Sequence, residues 1–451
     1  MKIALIHPAI TYRSESKPIQ DYANHWYKDT LSRSFNINLL RLASLTSEGH
    51  EIKLIDEHYQ EIDYEEKFDV IAVTAMTYQV EKAYSIAEKF KKQYPCHTIL
   101  GGIHASVMPD EALKTFESVC VGEVENVWEA YLADVLSGHP KKIYTGGLAD
   151  LEKEPTMRYP LVEDWVKLHG KNRVYFFPTM ASRGCPRGCD YCSATYLFNK
   201  RYRKKGTLRI LSEIQEIKKT ARALGINNYR VAFCDDNFVI DRKRMKDLLT
   251  ALLDENISYM ASLDIAASDD PEILELLSTS GCKIVSIGLE SLEVNILEDL
   301  GKWKKSQRSK VEKNIQAFFD HAIMPSVNFM VGSDGTDLRL FKNIRKFLQE
   351  FPVPYNLSFF TPFPGTPYFD SLKKEGRLRA DTSWTDYNLI NMVFEPRGMS
   401  RERLYEEFYS IRSEYNHSER YMSCLNHLNH KKAGFDRNAW LLQDGISSTT
   451  L

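Results

Sequence analysis

The chain has 451 residues, with 59 Lys and Arg against 61 Asp and Glu and a formal charge of -2. That balance excludes a surface organised to coat nucleic acid, and no nucleic-acid partner is expected. No apolar run reaches the roughly 18 residues a bilayer span needs, and eight cysteines are too few for a disulfide scaffold at this length, which points to the reducing cytoplasm.

Residues 1–150 alternate strand and helix signals. "KIALIHP" is a buried-type strand ending at Pro8. With no small-residue cleavage site after it, this start reads as a first strand and not a signal peptide. "INLLRLASLTSEGH" carries Leu39, Leu40, Leu42, Ala43 and Leu45 at helical spacing, with Gly49 as the stop. "EIKLIDE" and "FDVIAVTAMT" read as strands, and "QVEKAYSIAEKFKKQYP" as a helix. "HTILGGIHAS" is a strand running into a Gly-rich turn, "PDEALKTF" a helix, and "ESVCVGEVENVWEAYLADVLSG" a strand, turn and helix. This alternation predicts a doubly wound, Rossmann-like parallel sheet. Ligands of such sheets lie beyond the carboxyl ends of the strands. The loops at Pro8–Tyr12, Thr74–Gln79, Gly101–Ser106 and Gly122–Glu125 are therefore expected to share one rim.

Residues 151–172, polar and punctuated by prolines, read as a linker. Residues 173–369 hold six further strand–helix units, from "RVYFFPTMAS" to "YNLSFFTPFPG". Six units fall short of the eight in a full barrel of ~250 residues, so a partial (β/α)6 TIM-type barrel is expected, with active residues at the strand carboxyl ends. Residues 370–451 read as a small, polar, helical region with an unstructured-looking end, "QDGISSTTL".

The first barrel strand runs into "MASRGCPRGCDYCSATYLFNKRYRKKG", which places Cys185, Cys189 and Cys192 at a C-x3-C-x2-C spacing. A structural zinc site takes four ligands, and the common iron–sulfur cubane takes four cysteines. Three thiolates leave one iron corner open to bind and activate something else. Zinc with a distant fourth ligand is the alternative, with Cys234 as the candidate. Cys96, Cys120, Cys282 and Cys424 read as small core residues. The run "KRYRKK" reads as a solvated face, with Arg203 available to an anionic ligand group.

This loop, following the first strand of a six-unit barrel and carrying Tyr191 before its last cysteine, resembles that of the radical S-adenosylmethionine (SAM) enzymes. The resemblance implies that Cys185, Cys189 and Cys192 hold a 4Fe-4S cluster whose open iron chelates the amino and carboxylate groups of SAM. Reductive cleavage, fed by an external flavodoxin- or ferredoxin-like donor, then yields a 5′-deoxyadenosyl radical. It further implies SAM contacts from Tyr191 to the adenine, from Asp235 and Asp236 to the methionyl amino group, and from Glu290 and Ser291 to the ribose. Gly332 of "FMVGSDG" and Pro364 of "FPGTPYFDSL" would frame the adenine edge, although "FMVGSDG" departs from the family's commoner Gly-x-Pro-Gly-Glu.

"LGGIHASVMPDEAL" and "GEVE", together with "FCDDNF" and "GLES", look like the subclass with an N-terminal cobalamin-binding domain. Thr74, Gly101, Gly102, Gly122 and Glu123 would then cup the corrin, while His104 is either a cofactor contact or a polar rim residue. The Asp-x-His-x-x-Gly motif that supplies a histidine to cobalt in many cobalamin proteins is missing, since "DEH" at 56–58 does not continue that way. Methylcobalamin beside a substrate radical implies methylation of an unactivated carbon in a small-molecule substrate of secondary, cofactor or lipid metabolism. Two other classes stay open. One is the same architecture performing a radical cyclisation, rearrangement or oxidation without methyl transfer. The other is a non-catalytic cobalamin-binding or sensor protein, against which the cysteine loop argues. Trp384, Tyr387, Glu395 and Arg397 are expected to cover the barrel mouth and shape the substrate pocket.

Overall fold

Two parallel sheets carry the chain, and in both the strands alternate with helices as the hydrophobic periods require, apart from the helix-free connection at residues 57–69. The computed structural model describes residues 1–11, 17, 20, 33–300, 302–415 and 417–431. Tyr12 of the first expected rim loop and the "QDGISSTTL" end lie outside the described residues.

The first sheet is formed by β1 (Lys2–His7), β2 (Glu51–Asp56), β3 (Val70–Thr74), β4 (His97–Gly101), β5 (Ser118–Gly122) and β6 (Ile143–Gly147), in the order β2-β1-β3-β4-β5-β6. Alternate residues of β1 enter different cores: Ile3 and Leu5 face one apolar cluster, Ala4 and Ile6 the other. Both faces are covered, as a parallel sheet demands. The order reverses at β1, so the crevice between β1 and β3 is the topological switch point where ligands of such sheets bind.

The second sheet runs β14-β13-β12-β11-β10-β7 and is also parallel. Its strands are β7 (Tyr175–Thr179), β10 (Tyr229–Phe233), β11 (Tyr259–Leu263), β12 (Cys282–Glu290), β13 (Met324–Val331) and β14 (Tyr355–Phe359). The sequential order is that of an open half-barrel. Along β12, Val285, Ile287 and Leu289 are buried, while Ser286, Gly288 and Glu290 between them are half-exposed on the opposite face. Helix starts are set by side chains that satisfy the free N–H groups: Asn36 caps Ile37–Leu45, Asp270 caps Pro271–Thr279 and Asp337 caps Leu338–Glu350.

Three expectations are corrected here. The segment "IYTGG" is a sixth strand, β6, on the edge of the first sheet. Residues 103–107, read as strand and turn, form a short helix, Ile103–Val107. The stretch 151–172 is not a loose connector: Met157, Tyr159, Val162, Trp165 and Val166 are all buried in the large core, and Trp165 stacks on Phe35 at 5.7 Å. A two-residue hairpin that sequence reading missed, β8 (Ser182–Arg183) paired with β9 (Arg203–Lys204), closes the base of the cysteine loop.

Candidate active site

The carboxyl ends of both sheets open on one cavity of about 490 Å³. The first sheet contributes His7, the turn Thr74–Met76 with Gln79, the turn Gly101–Ile103 with Ser106, and Gly122–Glu125. Three of the four expected rim loops therefore meet, and β1 contributes its end residue His7. The barrel side contributes Met180, Arg183, Cys234 and Asp236. Cys120, read as a core residue, is buried and also lines this space.

Gly101, Gly102 and Gly122 of the first rim present backbone to the cavity. Gly102 has φ +96, and a Cβ there would lie 2.6 Å from the Ala75 carbonyl oxygen and 3.0 Å from its nitrogen. Only glycine fits that turn without strain. The Ser106 hydroxyl donates to the Gly102 carbonyl at 2.9 Å and accepts from the Gly122 N–H at 3.0 Å, tying two of the turns together. A floor of glycine turns presenting backbone to an open crevice is the surface a flat macrocycle needs, so these residues fit a corrin.

The three cysteines sit on the loop that leaves β8. Cys185 and Cys189 are buried and Cys192 is half-buried, and none of the three is in a disulfide. Burial pushes the Cys185 thiol up to about 11, and the neighbouring Cys192, Cys189 and Asp236 push the same way. Among the described residues, the His, Cys, Asp and Glu group whose ligand atoms close to within 4.8 Å of one another is His7, Asp56 and His58, and the cysteines do not form such a group. A tetrahedral zinc with Zn–S near 2.3 Å would pull its sulfurs closer than that. The donor set, three soft thiolates on one loop, fits an iron–sulfur cluster. Cys234 is exposed and faces the cavity at the end of β10.

The His7, Asp56 and His58 group is a closed hydrogen-bond set. The two Nδ1 atoms face the two Asp56 oxygens at 3.3 and 2.8 Å, while the Nε2 atoms accept from the Gln79 amide and the Ile10 N–H. Burial would raise Asp56, but His7 and His58 outweigh it and hold the carboxyl below its ordinary range.

The other expected contact residues have the following partners within the chain. The Asp235 carboxylate accepts from the Ala181 N–H at 2.9 Å and from the Ser182 hydroxyl, and Asp236 accepts from the Gly184 N–H at 2.7 Å. Both therefore anchor the cysteine loop to β10, and of the two only Asp236 reaches the cavity wall. Glu290 has φ 62 and pairs with Lys304 at 2.8 Å. It also faces Tyr191, whose phenol is raised well above its usual value by burial and by that carboxylate. The Tyr191 ring packs edge-on against Phe360 at 5.2 Å. Ser291 is fully buried, and its hydroxyl accepts from the Glu293 N–H. Gly332 lies under Met392, whose sulfur would be 2.8 Å from an added Cβ. Pro364 is buried beside Gly365, which packs against Val107 of the first domain.

His104 does not line the cavity. It is completely buried, with Nε2 3.6 Å from Glu111 and its ring against Trp384. Trp384 docks on the first sheet's helices, its indole N–H donating to Glu111 at 2.7 Å and its backbone N–H to Glu81 at 3.1 Å. Glu395 and Arg397 are exposed on the outer surface, and Tyr387 is buried beside Trp384. The expected pocket cover is thus a strap across the two halves.

The largest surprise is the "KRYRKK" run. Lys205 is 1% exposed and pairs with Glu213 at 2.8 Å and Glu154 at 3.3 Å. Arg203 turns to Glu123 and to the Ala149 carbonyl. Arg183 is ringed by Glu123, Glu125 and Glu154 at 2.9, 2.8 and 2.5 Å. Burial disfavours its charge, but the three carboxylates outweigh this and hold it above its ordinary value. Glu123 is therefore an inter-sheet ion-pair partner at the cavity wall.

Comparison with known proteins agrees with this geometry. A B12 binding domain matches residues 34–132, and the radical SAM superfamily matches residues 179–348. The bacteriochlorophyllide d C-12(1)-methyltransferase of Chlorobaculum tepidum is 30% identical over 393 residues, covering 86% of this chain and 83% of the relative. The C-8(2)-methyltransferase of the same organism is 26% identical, covering 80% and 81%. The solved structure of OxsB, a cobalamin-dependent SAM radical enzyme with aqua-cobalamin bound, shares the fold at a TM-score of 0.69 and 13% identity, covering 98% of this chain and 75% of that one. With the thiolate loop and the glycine rim opening on one cavity, the chain belongs to the radical SAM superfamily, among the members that carry a B12-binding domain ahead of the barrel.

Proposed function

We propose that this protein is a cobalamin-dependent radical SAM C-methyltransferase that methylates an unactivated carbon of a small molecule. The observation that carries the reading is the single cavity shared by the glycine rim of the first sheet and the carboxyl end of β10, next to the cysteine loop. The methyltransferases it resembles act on bacteriochlorophyllide, so a large ring system is the substrate class we favour. When bound, the cluster with SAM supplies one-electron chemistry and cobalamin supplies the methyl group.

The chain's own residues do the positioning. Cys185, Cys189 and Cys192 would hold three irons of the cluster, and Asp235, Asp236 and Arg244 fix the neck of their loop, Arg244 donating to the Ala181 and Lys205 carbonyls at 2.8 Å. Gly101, Gly102 and Gly122 keep side chains off the corrin's path, and Thr74 and Cys234 line the space from opposite sides. Glu290, released from Lys304, is a ready acceptor for a ribose hydroxyl. We place the boundaries at 150, 172 and 369, and the reaction in the reducing cytoplasm with a flavodoxin- or ferredoxin-like donor. No described helix is long and apolar enough to cross a membrane.

Anaerobic turnover of the reconstituted enzyme with a bacteriochlorophyllide as trial substrate tests the reaction class. Methylation releases S-adenosylhomocysteine and 5′-deoxyadenosine together. 5′-Deoxyadenosine with product but no S-adenosylhomocysteine would assign a radical cyclisation, rearrangement or oxidation instead.

A further inference from the structure

The cysteine loop and the corrin-facing rim are wired to each other through one carboxylate. In the β8–β9 hairpin, Arg183 stands directly opposite Arg203, a like-charge cross-strand pair that is unfavourable alone. Glu123 resolves it from the other sheet. Its Oε2 accepts from Arg183 Nη1 and Arg203 Nη1, both at 2.9 Å, and from the Ala149 N–H at 2.7 Å, while Oε1 accepts from Arg203 Nη2. The root of this side chain cannot shift freely: a Cβ on Gly146 would lie 1.6 Å from the Glu123 carbonyl oxygen, so the two strands touch backbone to backbone.

The path is continuous in both directions. Toward the rim it runs from Glu123 to Gly122, whose N–H is held by Ser106, and from Ser106 to the Gly102 turn. Toward the thiolates it runs from Arg183 to Gly184, which has φ +88 and whose Cβ would meet the Arg201 carbonyl oxygen at 2.0 Å, and then to Cys185. Arg183 keeps Glu125 and Glu154 if Glu123 is neutralised. Arg203 keeps only the Ala149 carbonyl among the polar partners described for its guanidinium.

We propose that Glu123, Arg183 and Arg203 form a positioning unit that couples the two cofactor sites, so that a corrin seated on the Gly102–Gly122 rim firms the cysteine loop. Coupling of this kind is reciprocal: a filled cysteine loop firms the rim and tightens corrin binding by the same factor. The inference rests on the proposed corrin site.

Amide hydrogen exchange on the full-length, cluster-loaded chain, with and without hydroxocobalamin, tests it. In the wild-type protein hydroxocobalamin slows exchange in residues 184–202. In Glu123→Gln, which keeps size and loses charge, that segment exchanges roughly ten-fold faster without corrin, the factor expected for a lost charge-assisted hydrogen bond, and hydroxocobalamin no longer slows it. Exchange in the distant helix Leu338–Glu350 stays the same in every arm, which separates loosening of the loop from general destabilisation. Should Glu123→Gln fail to fold, Arg203→Gln cuts Glu123 from the far end of the cysteine loop and leaves it on Arg183, with the same direction of change expected in residues 184–202 but a smaller one. Loop exchange equal to wild type, or equal slowing by hydroxocobalamin in variant and wild type, overturns the coupling. Failure of the wild-type chain to retain hydroxocobalamin would contradict the proposed function itself, and the coupling with it.

Discussion

The two halves of the molecule solve the same topological problem with opposite materials. Each is a parallel sheet offering the carboxyl ends of its strands to one cavity, yet the first sheet brings three glycines to it, Gly101, Gly102 and Gly122, where the barrel side meets it with side chains such as Arg183, Cys234 and Asp236. At the first rim a Cβ on Gly102 has nowhere to go. At the second, two aspartates, an arginine and three cysteines crowd a single loop. A flat ligand is accommodated by removing side chains, and an iron cluster by supplying them. The difference predicts that mutations in one half will remove one cofactor and leave the other bound, weakened only by the coupling between the sites.

The most severe test of that separation is on the barrel side. Replacing Cys185, Cys189 and Cys192 together by alanine is expected to abolish bound iron and SAM cleavage, while circular dichroism stays as in wild type and hydroxocobalamin still binds, its affinity lowered only by the coupling factor between the two sites. Iron near four per chain in the triple variant would remove the cluster from this loop.

On the other side, Gly102→Leu forces a branched side chain into φ +96 and against the Ala75 backbone. Strain of about 1–3 kcal/mol is expected, and corrin affinity should fall by at least about a hundred-fold because the turn is pushed away, with iron content unchanged. Loss of iron together with corrin would break the comparison.

Glu290→Gln sharpens the comparison within the barrel. It keeps shape, leaves Lys304 a neutral acceptor, and weakens a charge-assisted bond. SAM affinity should drop roughly ten-fold by calorimetry, with cluster and corrin content intact; an unchanged Kd would restrict Glu290 to holding Lys304.

A further test concerns pH. Burial pushes Asp235 from its ordinary 3.8 up to about 6, against the hydrogen bonds from Ser182 and Ala181 that favour its charge. The protonated form is the one the fold favours. Its contribution is complete below about pH 3.8 and is lost as pH rises through about 6, a change on the order of 3 kcal/mol. Denaturant titrations of Asp235→Asn against wild type should diverge in slope across that window, and parallel curves would contradict the assignment.

Much of this was legible in the residues. Strand–helix alternation gave both sheets, and the spacing of Cys185, Cys189 and Cys192 at a strand end carried the site. What escaped reading depends on contacts between distant segments. "KRYRKK" looks solvated until Glu123, Glu154 and Glu213, scattered over 90 positions of chain, fold onto it. β6 was missed because "IYTGG" offers only two apolar side chains and ends in paired glycines, which weakens a strand pattern. His104 follows two rim glycines, and nothing local tells that the short helix Ile103–Val107 turns it toward Glu111 and Trp384. Asp235 and Asp236 were placed correctly at the end of β10, but their hydrogen bonds to Ala181, Ser182 and Gly184 depend on how β7 and β10 pair.

The central claim is that one chain holds both cofactors at one cavity. It is tested most directly by anaerobic reconstitution of the wild-type protein followed by iron and corrin quantification with absorption and electron paramagnetic resonance spectra. The account predicts about four irons and one corrin per chain, with the reduced cluster's signal altered when the corrin is present. A full cluster on a chain that retains no corrin under the same conditions would contradict it.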